Sequence, residues 1–582
     1  MGIDKFGRIF EKRQFRPSQD VKLPETINSL FIDCNGIFHG AKSEIFPVIT
    51  RKGKEVNKLS VLKKKYTVRG LKKAYIEKII ENLEQILEDF KPTHNLILAP
   101  DGVANAAKQN QQKTRRFNVK DETYYGFDGN SLTPGTDIMI MIDKEIENWL
   151  SVMKEKGKLP KNVIYSSHMD PGEGEHKIFQ FIRDDLIVFS ENPEKDTHVV
   201  YGADSDLFIL CTLSKLNNMF IFRDNNKKVY DIEKFKEGVW NYLSFKGCQK
   251  EILFQDFSLL VIFVGNDFLP KFPNLPSTSY TLIDIMFRIY RSMSMHMTDL
   301  KNNILWDVFL ILIRKLDSWR VNRTEDTYIY ARDQLAFPVR EIDEHIVIKD
   351  YEGNIIQRSR GDYDPSRHTR TFDKRSFEKD WYHKQFKPID KKMFQRSGEK
   401  EYYNMKDVFN MCVCYLRTLQ WNQYYYTRGY NSVSDYFFYP YRITPLVHNI
   451  SRYLRSLVEK KNTQVLGQKI GPFESFTITP IHQLMSVLPF ESIDLIPKDF
   501  RFLYSGMKSV NPKNYMFLSP ENTDCEYNIT PLIPPVNLIL ADMLITESGV
   551  RIPKKYTRRD YIRIYEDVDS DDDLFEFSEE DE

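Results

Sequence analysis

Seven carboxylates in this sequence occur where their chemistry could be shared: Asp33, Asp101, Glu173, Glu175, Asp204, Asp206 and Asp267. Singly, each has an ordinary explanation, since acids are favoured in the first turn of a helix. Gathered together, so many carboxylates could not all stay ionised without cations. An oxygen-only ligand set, with no Cys or His in it, selects Mg²⁺ or Mn²⁺. Two such ions suit phosphodiester hydrolysis, one activating water and both stabilising charge on the attacking and leaving oxygens.

A second group is cationic. In DGVANAAKQNQQKTRRF, Asp101 to Phe117, a helix over 104–117 brings Lys108, Gln112, Arg115 and Arg116 to i, i+4, i+7 and i+8, on one face. That face holds three cations and an amide and no acid. Arg supplies a planar donor fork and Lys a point charge, which suits a phosphate. An exposed basic helix has the same composition, and these residues alone leave both readings open.

The elements that must position these side chains can be read from periodicity. SLFID (Ser29 to Asp33), LILAP (Leu96 to Pro100) and HVVY (His198 to Tyr201) are short apolar runs, each followed closely by an acid. Asn162 to Ser166 and Asn218 to Arg223 read as further strands. Leu71, Tyr75, Ile79, Leu83, Ile86, Leu87 and Phe90 recur at helical spacing, and Pro92 helps end that helix. Helices are also expected over Thr136 to Trp149 and after Pro171-Gly172, through Ile178 and Ile182. Phe257 to Val264 fits helix or strand equally. Strand-helix alternation with acids at strand ends predicts an α/β fold with a mostly parallel central sheet and its site along the carboxyl edge. No glycine-rich dinucleotide or phosphate loop follows any strand.

Composition narrows the class. The net charge of +1 conceals an asymmetry: Glu566 to Glu582 carries eleven acids and no base, so the rest of the chain stands at +12. A basic body of this kind is compatible with a nucleic-acid partner. The six cysteines form no CxxC framework, which fits a reducing compartment. No apolar run is long enough to span a bilayer. Residues 351–400 are polar, charged and poor in aliphatics, as in an exposed insertion.

Two blocks of motifs carry a resemblance. IDCNGIFH, APDGVANAAKQNQQKTRRF, SLTPGTDIM, DPGEGEHKIFQFIR, YGADSDLFIL and FVGNDFLPKFP resemble, in order, the 5′→3′ exoribonuclease family (the Xrn1/Rat1 type). LRTLQWNQYYYTRGY, YPYRITP and ITPIHQLMSVLP match its second block. The resemblance implies a PIN/FEN-like nuclease core with a mainly helical second block packed on it. It further implies processive removal of nucleotides from single-stranded RNA with a 5′ monophosphate, by two Mg²⁺ ions (Mn²⁺ being the alternative), in RNA and mRNA decay. All seven acids match the family's metal-binding acids. Lys108, Gln112, Arg115 and Arg116 match its 5′-phosphate pocket, and His39 matches a base-stacking histidine. Where the family usually reads SWSWYY, this chain has SVSDYF, with Val433 and Asp435 in place of the tryptophans and Tyr436 and Phe437 beside them.

The expected division is a catalytic core over 1–275, a helical and charged insertion over 276–400, the second block over 401–550, and a basic segment with a disordered acidic tail over 551–582. A compact, monomeric, cytoplasmic enzyme without the long C-terminal extensions is expected, with a nuclear address as the alternative. Leu574, Phe575 and Phe577 in the tail are candidates for docking a protein partner. Two other readings remain: a flap-type 5′ DNA nuclease, and a non-catalytic protein that binds RNA ends.

Overall fold

Ser29–Asp33 (β1) forms the middle of a seven-stranded sheet in a computed structural model of the chain. The model describes residues 9, 14–45, 50–51, 54–55, 67–118, 123–124, 127–272, 279–322, 346–349, 355–358, 369–372, 375, 378–379, 381–383, 403–468, 470–471, 476–513, 517–518, 530–531 and 533–565. The acidic tail from residue 566, with its docking candidates, and most of 351–400 lie outside them.

The other strands are β2 (Asn95–Ala99), β3 (Asn162–Tyr165), β4 (His198–Tyr201), β5 (Met219–Arg223), β6 (Lys228–Asp231) and β7 (Ile562–Tyr565). They lie in the order β6-β5-β4-β1-β2-β3-β7. The inner pairings are parallel, while β6 on β5 and β7 on β3 are antiparallel. Every residue of β1 to β4 is buried, as expected for strands covered on both faces.

Alternation along these strands feeds two cores. Leu30, Ile32, Leu96, Leu98, Val199 and Tyr201 join Cys34–Ile45 (α1), Val68–Phe90 (α2) and Asp137–Glu155 (α4) on one face. Phe31, Ile97, Ile164 and Val200 join Gly174–Arg183 (α5), Leu207–Leu213 (α6), Ile232–Leu243 (α7) and Lys250–Phe263 (α8) on the other. The periodic residues Leu71 to Phe90 are all buried on α2. Thr67 caps that helix by accepting the Gly70 N–H, and Lys91 ends it in a left-handed conformation. The ambiguous 257–264 run is helical: nearly all of α8 is buried, so its apolar pattern carries no period.

Ser279–Met293 (α9) and Trp306–Asn322 (α10) follow. Three short antiparallel strands, Ile346–Lys349, Ile355–Arg358 and Thr369–Phe372, stand within 276–400, where the sequence predicts a helical and charged insertion. The second block supplies Met405–Arg428 (α11), Val447–Glu459 (α12), Pro480–Val487 (α13) and Leu538–Ser548 (α14). The α11 helix joins the second core, where Tyr415 and Leu419 are buried with Phe263. The α13 helix packs on Ala106–Asn118 (α3), forming a third core from Val103 and Ala106 with Ile481, Leu484 and Met485. No helix among the described residues is long and apolar enough to cross a membrane.

Candidate active site

The chain runs β1, β2, β3 in one direction across the sheet and then crosses β1 to place β4 on its other side. Such a reversal opens a crevice at the carboxyl ends of the strands. Asp33 ends β1 opposite Ala99, Asp101 follows two residues later, and Ile32 lies opposite Tyr201, just before Asp204. Register therefore brings three acids to one edge.

Close backbone approach completes the cluster. Asp33 Oδ1 accepts the Asn35 N–H at 3.2 Å, and Asn35 Oδ1 accepts the Asp101 N–H at 3.1 Å. Asp101 Oδ1 accepts the Gly174 N–H at 2.9 Å, at the start of α5. A Cβ at Gly174 would lie 2.4 Å from the Ala99 carbonyl oxygen and 2.9 Å from Asp33 Oδ1, so only glycine lets α5 carry Glu173 and Glu175 this close. Oxygens of Asp33, Asp101 and Glu175 lie within 4.8 Å of one another.

The electrostatics follow. Burial, with the Asp101 and Asp204 carboxylates next, holds the Asp33 carboxyl well above its usual range. Burial, then Glu173 and Asp33, does the same to Glu175. Glu173 is also raised by burial, although Lys108 opposes the shift. Burial and Asp267 push Asp206 up to about 7. Burial alone would lower Lys108, but its pairs with Glu173 and with Asp267, the latter at 2.9 Å, hold it well above the ordinary lysine value. The residues fit a hard cation: the donors are oxygens, the trio converges, and buried Asp206 Oδ1 has no hydrogen-bond partner among the described residues.

A cleft of about 400 Å³ joins this cluster to the cationic face. Asp33, Asp101, Glu173, Glu175 and Asp204 line one side; Lys108, Gln112, Arg115, Arg116 and His39 line the other. Asp206 and Asp267 stand outside that lining; Asp267 connects to it through Lys108, and Asp206 through the field of its neighbours. The α3 helix begins at Ala106, two residues later than sequence suggests, because Asn105 caps it by accepting the Lys108 N–H at 2.9 Å. Arg116 Nε donates to Thr133 Oγ1 at 2.8 Å, and burial beside Arg115 lowers its guanidinium to about 9. Desolvation in the cleft, with Lys42 and Arg115 nearby, pushes the His39 imidazole down to about 4, while the side chain stays exposed to solvent.

Two family models match this chain: "XRN 5'-3' exonuclease N-terminus" over residues 1–225 and "Xrn1 helical domain" over residues 377–517. The chain belongs to the 5′→3′ exoribonuclease family. Human 5′-3′ exoribonuclease 1 is 25% identical over 88% of this chain and 32% of its own length. The Schizosaccharomyces pombe protein of that name is 31% identical over 50% of this chain and 24% of its own, and the Saccharomyces cerevisiae one 28% over 47% and 20%. The chain thus spans about a third or less of these relatives' length.

Several site residues escaped the sequence reading. Tyr425 donates to Glu173 Oε1 at 2.8 Å, and Tyr426 donates to Asp206 Oδ2. Both hydroxyls come from α11, whose aromatic pattern signals only burial. Lys177, fully buried, donates to the carbonyls of Ser166 and Ser167, at 3.3 and 2.8 Å, behind the acid cluster. The aromatic neighbours of the replaced tryptophans do not line the cleft. Tyr436 donates to the Phe476 carbonyl, Phe437 lies under the Arg417 guanidinium, and Val433 is core. The Asp435 carbonyl instead accepts the Ala106 N–H at 2.7 Å, seating this segment on the start of α3.

Proposed function

We propose that this chain is a 5′→3′ exoribonuclease that hydrolyses single-stranded RNA carrying a 5′ monophosphate, processively, with Mg²⁺. One observation carries the reading: a single cleft is lined by five carboxylates, three of them converging, and by Gln112, Arg115 and Arg116, whose side chains suit a phosphate. Asp33, Asp101, Glu175 and their acidic neighbours would hold the ions. Bound Mg²⁺ supplies an activated water and charge stabilisation on the reacting phosphate.

The chain's own residues do the rest. Arg115 and Arg116 offer guanidinium donors to the terminal phosphate, and Gln112 adds an amide. Lys108 stands between the two walls and fixes their spacing through Glu173 and Asp267. His39, neutral at physiological pH, offers a ring face to the terminal base. A smaller recess of about 20 Å³ shares His39, Asp101, Gln112 and Arg116 with the cleft and is also lined by Phe38, Pro134 and Met139. On this reading a triphosphate or cap would not be accepted.

The test is degradation of one RNA bearing a 5′ monophosphate, triphosphate or cap, with Mg²⁺, alongside single-stranded DNA and a DNA flap. Only the monophosphate RNA should be consumed. Equal loss of all three RNAs would refute the pocket assignment, and cleavage of the flap alone would favour the DNA-nuclease reading.

A further inference from the structure

Gln483 lies in the second-block motif ITPIHQLMSVLP, on α13, fully buried. Its Oε1 accepts the backbone N–H of Ala104 at 2.9 Å, and its Nε2 donates to Gln112 Oε1 at 3.0 Å. The polarity of this chain of bonds is forced. A backbone N–H can only donate, so the Gln483 atom facing Ala104 must be oxygen. Its amide nitrogen then faces Gln112, which must answer with its own oxygen. Gln112 is thereby left with its NH₂ group for the cleft it lines. Among the described residues no other hydrogen bond to the Gln112 side chain competes with this arrangement.

The direction matters because a phosphate only accepts hydrogen bonds. A Gln112 amide turned over would present oxygen to it. We propose that Gln483 is a positioning residue that sets the donor polarity of the 5′-phosphate pocket, through Gln112. It anchors that polarity to Ala104, three residues after Asp101, so the orientation of the pocket and the start of the acid wall share one tie. The inference rests on the reading of the cleft given above, and it gives the second block a part in end recognition.

The test compares kcat/KM for one RNA with a 5′ monophosphate and the same RNA with a 5′ hydroxyl. Gln483→Glu keeps the side chain's shape and its acceptor for Ala104, but offers Gln112 a second acceptor. At a pH where the new carboxylate is ionised, Gln112 must turn its NH₂ toward α13 and its oxygen into the cleft. The monophosphate-to-hydroxyl ratio should fall at least about tenfold, mostly through KM, with the hydroxyl RNA changed less than about twofold. On a Gln112→Met background the same substitution should move the ratio less than about twofold, which separates amide polarity from the added charge. If Gln483→Glu does not fold, Gln483→Met carries the test, with an expected fall of about threefold.

An unchanged ratio in a folded variant, or a tenfold fall that persists without Gln112, overturns the assignment. A wild-type enzyme that degrades both RNAs equally, or neither, overturns the parent reading and this one with it.

Discussion

The two walls of the cleft are built by opposite means. The acid wall is a product of the sheet: strand register and the glycine at the start of α5 place its carboxylates, using residues within the first block. The cationic wall is one helix, α3, held from outside. Gln483 ties its Gln112, the Asp435 carbonyl takes its first N–H, and Lys113 donates to the carbonyls of Val510 and Pro534 at 2.9 and 3.0 Å. Val536 N–H closes on Asn110 Oδ1, 426 residues away in sequence. Charge is thus supplied locally, and Thr133 holds Arg116 from nearby, whereas the seating of α3 and the orientation of Gln112 are supplied from the far half of the chain.

The largest expected effect strikes the acid wall. Asp204→Ala with Asp206→Ala should lower kcat by about 10³-fold or more while circular dichroism stays native. Mg²⁺ should raise the melting temperature of the wild type but not of Asp33→Asn, since a ligand stabilises only the state that binds it. Next, Tyr426→Phe frees the oxygen of Asp206 without altering charge. It should cost about 10- to 100-fold in activity, with a higher Mg²⁺ requirement in the titration. A wild-type Mg²⁺ response would show that the helical block does not tune the acids.

On the other wall, Arg116→Ala should raise KM for 5′-monophosphate RNA about tenfold and leave 5′-hydroxyl RNA unaffected. His39→Ala should cost about fivefold, the low end of base stacking, because among the described residues no aromatic side chain lines the cleft with it. That loss should be equal at pH 6 and pH 8, since the ring is already neutral at both.

The smallest effect tests how α3 is held. Burial lowers the Lys113 ammonium to about 7. The unfolded chain therefore binds more protons between pH 7 and the ordinary lysine value, and stability rises with pH across that window. In urea titrations from pH 7.5 to 9.5, Lys113→Met should lose about 1 kcal/mol per pH unit of that slope.

Much of the acid wall was legible because short apolar runs ending near acids state both the strand and what it delivers. The cationic face of Lys108, Gln112, Arg115 and Arg116 was legible because no Pro or Gly interrupts residues 103–117 and the i, i+4, i+7, i+8 spacing falls on one side of a helix. The shell around them was not. Tyr425 and Tyr426 sit in a run of tyrosines and other buried side chains, where periodicity says nothing about which hydroxyl meets an acid. Gln483 is one buried amide in an apolar helix, and its partners lie 379 and 371 residues earlier. The antiparallel edges β6 and β7 also escaped, being four residues each with mixed polarity.

The last of these edges has a consequence for how the molecule is made. Arg563 Nε donates to Asn162 Oδ1 at 2.9 Å across 401 residues, as β7 pairs with β3. Until residues 562–565 have emerged from the ribosome, β3 is a bare edge with open backbone groups, able to join the wrong neighbour. Synthesis must therefore pass residue 565 before the sheet is sealed, and a nascent chain halted after the second block would carry the charged groups of the cleft on an unfinished frame.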